Sequence, residues 1–292
     1  MPKPPQSTEN EAIELRLLLD AIFLRYGYDF RDYAKASLKR RVHKRLQAAG
    51  LPHVSELTHQ LLNDKSVFEQ LLLDLTVNVT EMFRDPSFFR TLRERVLPQL
   101  AHREHIKIWH AGCATGEEVY SMAILLAEAG LLDRCRIFAT DLNEVVLHQA
   151  RQGIYPAKLL RAYTENYQRM GGTRSFSDYY TARYDSAIID AGLKEHIVFS
   201  AHNLATDGVF SEVDLIVCRN VVIYFDQRLQ DRVFGLFADS LTPGGLLCLG
   251  SKESIRFSRQ AGRFGDFDRA ERIYVLQPET PAGEQLHATR TP

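Results

Sequence analysis

The chain has 292 residues, of which 45% are hydrophobic and 25% charged, and its net charge is −1. This length predicts two domains or one domain with an appendage, and the composition is that of a globular protein rather than a disordered one. The small net charge argues against a surface built to neutralise nucleic-acid phosphates. The polar N-terminus and the lack of a membrane-length apolar run predict a cytoplasmic protein with no membrane-inserted segment.

Residues 1–75 predict a small all-α N-terminal domain, because apolar residues recur every three to four positions. The second predicted helix concentrates positive charge with no acid interspersed, and Gly50 predicts its end. Its basic residues are Lys35, Lys39, Arg40, Arg41, Lys44 and Arg45. Such a helix either docks an acidic partner or simply presents a solvated face.

From residue 106 onward, short apolar runs alternate with predicted helices. The runs lie at 106–111, 136–142, 196–201, 213–220 and 245–250. This alternation predicts an α/β domain over 76–277, with a parallel sheet covered by helices on both faces. Residues 171–192 interrupt the alternation and predict a small antiparallel β insertion. Residues 278–292 are rich in Pro, Gly and Thr, and they predict a disordered tail.

The four cysteines predict neither disulfides nor a zinc site. Cys113, Cys135, Cys218 and Cys248 are scattered without the C-x-x-C spacing, and most of them lie in apolar runs. Free buried thiols are therefore expected. His102 and His105 have no obvious third ligand nearby in the sequence, so no bound metal is expected.

A glycine turn follows the first predicted strand in the segment "HAGCATGEE". Gly112 and Gly116 occupy the loop where an α/β sheet brings its backbone close to a ligand, and Glu117 and Glu118 open the next helix. A dinucleotide would place its pyrophosphate beside these carboxylates and would forfeit the anion-binding advantage of a helix N-terminus. The cationic amino acid moiety of S-adenosylmethionine would instead be attracted. The loop also lacks the G-x-G-x-x-G fingerprint, so a dinucleotide is the weaker interpretation.

Asp141 ends the second predicted strand. A carboxylate at this position can accept hydrogen bonds from the ribose hydroxyls of an adenosine, which fits either cofactor class. The competing interpretation is that Asp141 only caps the helix that follows. The acids and glycines together, in this order on these elements, favour the methyl donor.

Beyond these features, the chain resembles the CheR family of chemotaxis receptor glutamate methyltransferases. The resemblance rests on "NVTEMFRD" (78–85), "AGCATGEEVYS" (111–121), "ATDLNEVVLHQARQGIY" (139–155), "HNL" (202–204), "DLIVCRNVVIYFD" (214–226) and "LTPGGLLCLGSKES" (241–254). Ala114 and Met82 replace the usual Ser and Phe of the family, and Lys252 interrupts its late S-E motif. These segments cover most of residues 10–276 in the order of the family.

The resemblance implies a Rossmann-like S-adenosylmethionine-dependent methyltransferase domain and a set of cofactor-binding residues. These residues are Asn78, Thr80, Arg84, Glu118, Asp141, Asn203, Leu204, Arg219 and Asn220, to which the glycine turn adds Gly112 and Gly116. Arg84 and Tyr224 are implied to lie nearest the reacting centre and to orient the substrate carboxylate. The product of the cofactor would be S-adenosyl-L-homocysteine.

The resemblance also implies the substrate, which is the cytoplasmic helical bundle of methyl-accepting chemoreceptors. Its glutamates would be methylated, and its acidic surface would meet a docking helix with Lys39, Arg40, Arg41, Lys44 and Arg45. A receptor C-terminal tail peptide is a possible further partner at the β insertion. Because a glutamate carboxyl has a free pKa of roughly 4.3, the nucleophile is already ionised at neutral pH and needs no general base.

Two other functions stay open from the sequence. An amine methyltransferase acting on nucleic acid would share the fold and cofactor, but such enzymes typically carry [DN]-P-P-[YF] after the fourth strand, where this chain has Arg219-Asn220-Val221-Val222. A non-catalytic domain that only docks to receptors is the other alternative, and the intact cofactor positions argue against it.

Overall fold

The computed structural model describes residues 5–76 and 79–278. The predicted cofactor residue Asn78 and nearly all of the predicted tail, residues 279–292, lie outside the described residues. Four helices come first in the chain: α1 (Pro5–Tyr26), α2 (Lys35–Ala49), α3 (Val54–Asn63) and α4 (Lys65–Leu75). They enclose their own core, which includes Leu18, Ile22 and Leu38. The basic helix α2 ends at Gly50 in the left-handed conformation, as the sequence predicts.

The rest of the described chain alternates strands and helices. The strands are β1 (Ile106–Ala111), β2 (Cys135–Asp141), β3 (Ile154–Pro156), β4 (Tyr180–Arg183), β5 (Ser186–Ile189), β6 (Ile197–Ala201), β7 (Val213–Cys218), β8 (Leu241–Leu249), β9 (Phe264–Asp268) and β10 (Ile273–Leu276). The helices are α5 (Pro86–Thr91), α6 (Leu97–Leu100), α7 (Glu117–Glu128), α8 (Glu144–Gln152), α9 (Leu160–Arg169), α10 (Ala191–Lys194) and α11 (Gln227–Ser240).

Seven strands form one sheet in the order β6-β2-β1-β7-β8-β10-β9. The neighbours from β6 to β8 are parallel, and β10 is antiparallel to both β8 and β9. The predicted α/β architecture is therefore confirmed. The chain continues from β1 to β2 on one side and later adds β7 on the other side of β1, so the strand order reverses at β1. Open α/β sheets bind ligands where the strand order reverses, at the carboxyl ends of the strands.

Both faces of the large sheet are buried, which explains why its strands are continuous apolar runs. Alternate residues of β1 point to opposite sides: Ile108 joins a core with α7, whereas Trp109 joins a core with α11. All four cysteines are buried free thiols in the structure. No helix of the described residues is both long enough and apolar enough to cross a membrane.

A second sheet of three short antiparallel strands, in the order β3-β5-β4, confirms the predicted small antiparallel element. Its strands β4 and β5 lie within 171–192, but β3 precedes that range. The sequence gives no signal for β3, because a three-residue strand is too short to show an alternating pattern.

The helical part packs against the carboxyl end of the large sheet. The rings of Tyr33 and Phe225 lie 4.9 Å apart. The Ala34 N–H donates to the Tyr224 carbonyl at 2.9 Å, and the Asp226 N–H donates to the Asp32 carbonyl at 2.9 Å. The helical part therefore forms one wall of the space at the carboxyl ends of the strands.

Candidate active site

A cleft of about 910 Å³, including its open mouth, lies between the helical part and the carboxyl ends of β1, β2 and β7. The cleft collects ten of the residues that the sequence predicts for the site: Thr80, Arg84, Gly112, Glu118, Asp141, Asn203, Leu204, Arg219, Asn220 and Tyr224. These residues come from five separate segments, so only the fold brings them together.

Gly112 allows the loop after β1 to pack closely against Val221, in the loop after β7. Its φ is 80°, and a Cβ atom there would lie 2.5 Å from Cγ2 of Val221. The N–H groups of Gly112 and Cys113 both donate to the Thr140 carbonyl, at 2.8 and 2.9 Å, which ties the loop to the end of β2. The floor of the cleft is therefore fixed by backbone geometry that a larger residue would disturb.

Replacing Gly112 with Ala is expected to weaken S-adenosylhomocysteine binding at least tenfold. The left-handed conformation costs an L-residue about 1–2 kcal/mol, and the new methyl group would also push Val221 out of place. Gly27→Ala is the matched control, because Gly27 has a φ of 79° but open space around it. Both variants should lose stability in thermal unfolding, and only Gly112→Ala should lose affinity in calorimetry. Equal affinities in the two variants would contradict this account of the loop.

Gly116, in contrast, is not among the residues that line the cleft, and its role in cofactor binding stays a prediction. It precedes α7 with a φ of 92°, and a Cβ atom there would lie 3.0 Å from the Cβ of Ala150 and 3.3 Å from the Tyr155 hydroxyl. Gly116 is therefore required for the start of α7 and for its close approach to α8.

Glu118 is the central charged group of the cleft. Its carboxylate lies 3.0 Å from Nδ1 of the buried His110 and 3.1 Å from Nη1 of Arg219. Arg219 also pairs with Asp85, and its guanidinium stacks 4.1 Å from the centre of the Phe88 ring. Burial raises the pKa of Glu118, but the His110 hydrogen bond and the Arg219 charge outweigh it, so the pKa lies below its usual value. The carboxylate is thus ionised at neutral pH.

The neighbouring Glu117 points away from the cleft. Its side chain is buried and accepts a hydrogen bond from the Thr115 hydroxyl at 2.6 Å. Burial raises the pKa of Glu117 to about 7. The expectation that both glutamates attract a cationic ligand is therefore wrong for Glu117, because successive residues of a helix point about 100° apart.

Asp141 presents a fixed carboxylate at the end of β2. Its two oxygens accept N–H groups from Ala114 and Asn143, each at 2.9 Å. Burial raises the pKa of Asp141, and these backbone hydrogen bonds oppose that rise. The cap of α8 is Asn143, whose side chain accepts the Val145 N–H. Asp141 is thus not the helix cap, and its remaining acceptor capacity faces the cleft.

Arg84 and Tyr224 lie at the same cleft. Arg84 is half-exposed, and its Nη1 donates to the Val79 carbonyl at 3.3 Å. No carboxylate within the described ranges pairs with this guanidinium, so it is available to an incoming anion. The ring of Tyr224 packs 4.4 Å from the guanidinium carbon of Arg41, which comes from α2.

Arg41 differs from the other basic residues of α2 because it is mostly buried. It is only 6% exposed and donates to the Leu75 carbonyl. It lies three residues after Leu38 and next to Val42, so it falls on the buried stripe of α2. Arg41 therefore packs against Tyr224 and offers little of its side chain to a partner, although it borders the groove beside α2.

The other basic residues of α2 form a weaker positive face than their number suggests. Lys39 pairs with Glu11, while Lys44 and Arg45 both approach Asp74. Arg40 is exposed and has no ion-pair partner among the residues that the structure describes. We call the exposed or half-exposed Lys39, Arg40 and Lys44 the α2 basic face.

Several residues of the site were missed from the sequence. Tyr33 and His202 line the cleft. The His202 ring packs 5.3 Å from Trp109, and its Nε2 lies 3.1 Å from the Gly208 carbonyl, so the ring has a structural partner. His110 lies in β1, and its place in this mostly apolar run predicts only that it is buried. No local signal predicts that it would meet Glu118.

The hydrogen-bonding groups that line the cleft are complementary to those of S-adenosylmethionine. Asp141 offers acceptors for ribose hydroxyls, and the ionised Glu118 offers an acceptor for an ammonium group. Gly112 leaves room where any Cβ would collide. Within the described residues, no cluster of His, Cys, Asp and Glu could hold a metal ion.

Comparison with known proteins agrees with this geometry. Residues 78–269 match the model for "CheR methyltransferase, SAM binding domain", and residues 13–76 match that for "CheR methyltransferase, all-alpha domain". The chain is 52% identical over 268 residues to "Putative methyltransferase Cher3" of Pseudomonas putida, which covers 92% of this chain and 98% of that protein. It is 33% identical over 275 residues to "Chemotaxis protein methyltransferase" of Salmonella typhimurium, which covers 90% of both chains. The fold, the lining of the cleft and two adjoining family matches all indicate the same family. The chain belongs to the CheR family of S-adenosylmethionine-dependent methyltransferases.

Proposed function

We propose that this protein methylates glutamate side chains of chemoreceptors and produces glutamate methyl esters and S-adenosyl-L-homocysteine. The observation that carries the proposal is that one cleft lining combines the Glu118 and Asp141 carboxylates with the half-exposed Arg84 guanidinium, which pairs with no carboxylate of the described residues. The guanidinium would attract a carboxylate substrate, whereas the carboxylates would attract the cationic methyl donor. The relatives named chemotaxis protein methyltransferases support the pathway.

Methyl transfer to a carboxylate needs alignment more than proton transfer. S-adenosylmethionine supplies a methyl group made electrophilic by its sulfonium. In the proposed reaction Arg84 holds one oxygen of the substrate carboxylate by a charge-assisted hydrogen bond and leaves the other oxygen free to attack. Tyr224, held from behind by Arg41, orients the same carboxylate. Alignment of two reactants can contribute on the order of 7–11 kcal/mol at best.

The cofactor residues would act through position and charge. Glu118 would accept the ammonium group of the donor, and Asp141 would accept its ribose hydroxyls. Gly112, Asn203, Leu204 and Asn220 would shape the remaining wall. Arg219 keeps Glu118 ionised and oriented, since its guanidinium bridges Glu118 and Asp85.

We further propose that the receptor bundle docks on the α2 basic face. The groove beside α2 is lined by the basic residues Lys39, Arg40, Arg41 and Lys44, by the acidic Asp74, and by the apolar side chains of Leu73 and Val79. Val79 also lines the cleft, so the groove leads directly to Arg84. An acidic helix laid in this groove would bring a glutamate to the cleft mouth. Such receptor bundles lie in the cytoplasm, which is where we place the enzyme.

Replacing Arg40 with Glu is expected to raise the KM for receptor about tenfold and to leave S-adenosylhomocysteine affinity unchanged. The exposed charge steers and orients an acidic partner without touching the cofactor wall. The effect should shrink at high salt, because exposed charges are screened beyond about 8–10 Å. Arg16→Glu is the control, since Arg16 is an exposed arginine on α1. A KM that stays at the wild-type value would remove the α2 basic face from docking.

The proposal includes a second contact at the small sheet, where a receptor tail peptide would add to the free edge of β4. In the described chain β4 pairs only with β5. Backbone hydrogen bonds along such an edge are the usual means of strand addition. A tail peptide that shows no binding in calorimetry would dispose of this contact without affecting methyl transfer.

The reaction itself is tested with methyl-labelled donor, purified enzyme and the receptor bundle. We expect label on the receptor that is released as methanol by alkali, since esters hydrolyse and methylamines do not. Alkali-stable label would indicate a nitrogen acceptor and refute the proposal. Binding of S-adenosylhomocysteine without any transfer would indicate a docking scaffold.

A further inference from the structure

Glu253 is a buried residue that does not line the cleft, and its carboxylate accepts hydrogen bonds from the backbone of two loops. It is only 3% exposed. Its two oxygens accept four backbone N–H groups, those of Gly250 (2.6 Å), Asn220 (2.9 Å), Val221 (2.8 Å) and Ile223 (3.3 Å). Burial raises the pKa of Glu253, and these backbone hydrogen bonds oppose that rise. A protonated carboxyl would need an acceptor for its own hydrogen, whereas all four of these contacts are donors, so the geometry favours the carboxylate form.

Three of those donors belong to the loop after β7, which is the loop that carries site residues. Asn220 and Tyr224 both line the cleft, and Val221 covers Gly112. Asn220 adopts a φ of 61°, in the left-handed region that Asn tolerates better than most residues other than glycine. The N–H groups of this turn have no strand partner, so the Glu253 carboxylate is what satisfies them.

The turn after β8 is shaped to bring Glu253 this close. A Cβ atom on Gly250 would lie 2.8 Å from Oε2 of Glu253 and 3.0 Å from the backbone nitrogen of Asn220. Gly250 therefore leaves space that the carboxylate and the loop both need. The two turns are packed so tightly that a shift of the carboxylate would move the loop.

We propose that Glu253 is a positioning residue for methyl transfer. It fixes residues 220–224 so that Asn220 faces the cofactor and Tyr224 faces the substrate carboxylate. Glu253 touches neither ligand and acts only through the backbone of this loop. The inference rests on the proposed function, since it assigns a role within that reaction.

The test is Glu253→Gln, which keeps the shape of the side chain but turns one acceptor oxygen into a donor. Two loop N–H groups would then face an NH₂ group. Hydrogen exchange of the backbone amides at 220–223 should become at least tenfold faster, while exchange in β1 should not change. The kcat for receptor methylation should fall about 10²-fold, which is the effect of misplacing aligned groups by about 1 Å. Glu104→Gln, at an exposed position far from the cleft, is the matched control.

Two further variants keep the test decisive if Glu253→Gln does not fold. Glu253→Asp retains a carboxylate that reaches fewer amides, and Gly250→Ala retains Glu253 but crowds it. Both should show faster exchange at 220–223 and a kcat between those of wild type and Glu253→Gln. Wild-type exchange or wild-type kcat in folded variants would overturn the role of Glu253. A wild-type enzyme that transfers no methyl group would instead refute the proposed function, whatever the exchange rates are.

Discussion

Replacing Glu118 with Gln should weaken S-adenosylhomocysteine binding about 100-fold, which corresponds to about 2.7 kcal/mol. Glu118 is ionised and held between His110 and Arg219, so it offers a fixed negative charge to the ammonium group of the ligand. A hydrogen bond to a charged group is worth about 1.5–3 kcal/mol. The variant also leaves the Arg219 guanidinium, whose side chain is 2% exposed, with Asp85 as its one remaining carboxylate partner. Calorimetric titration measures the effect.

The adjacent glutamate provides a matched control for this experiment. Glu117→Gln changes the same residue type one position earlier, but the Glu117 side chain faces Thr115 and its pKa is about 7. Gln can accept the same hydroxyl hydrogen bond, so affinity at neutral pH should change less than threefold. Equal losses in the two variants would mean that the helix start, rather than the Glu118 charge, determines binding.

Replacing Arg84 with Ala should lower kcat about 10²-fold and change S-adenosylhomocysteine affinity only a few fold. Its side chain lines the cleft, and its guanidinium donates to the Val79 carbonyl and pairs with no carboxylate of the described residues. The substrate carboxylate would lose the group that orients it, and loss of orientation acts on the transfer step more than on cofactor binding. Single-turnover methylation of the receptor bundle, together with calorimetry, separates the two effects.

Arg84→Lys distinguishes charge from geometry at this position. Lysine keeps the positive charge but not the planar fork, so an intermediate kcat is expected. A turnover number in Arg84→Ala equal to that of wild type would remove Arg84 from the mechanism. A loss of cofactor affinity as large as the loss of kcat would make Arg84 a cofactor ligand instead.

The architecture was predictable because buried parallel strands leave a strong signal. Residues 106–111 form β1 with the predicted bounds, and α7 begins at Glu117 as expected. The central strands are mostly apolar because helices cover both of their faces, and the acid at the end of β2 stands out by contrast. Asp141 was found in this way.

What the sequence could not supply was side-chain direction and contacts between distant segments. Glu117 and Glu118 look equivalent in the sequence, yet one faces the cleft and the other is buried behind it. Arg41 is one of six basic residues in α2, but its spacing from Leu38 places it on the buried stripe, so this signal was available. His110 and Glu253 gain their roles only when separate loops and strands meet.

The central claim is that the cleft binds a cationic methyl donor through its amino acid moiety. Calorimetric titration of wild-type protein with S-adenosylhomocysteine and with methylthioadenosine tests it, because methylthioadenosine keeps the nucleoside and lacks the amino acid. We expect S-adenosylhomocysteine to bind at least 30-fold more tightly, which corresponds to about 2 kcal/mol. Equal affinities for the two ligands, or tighter binding of NAD⁺ than of either, would contradict the account.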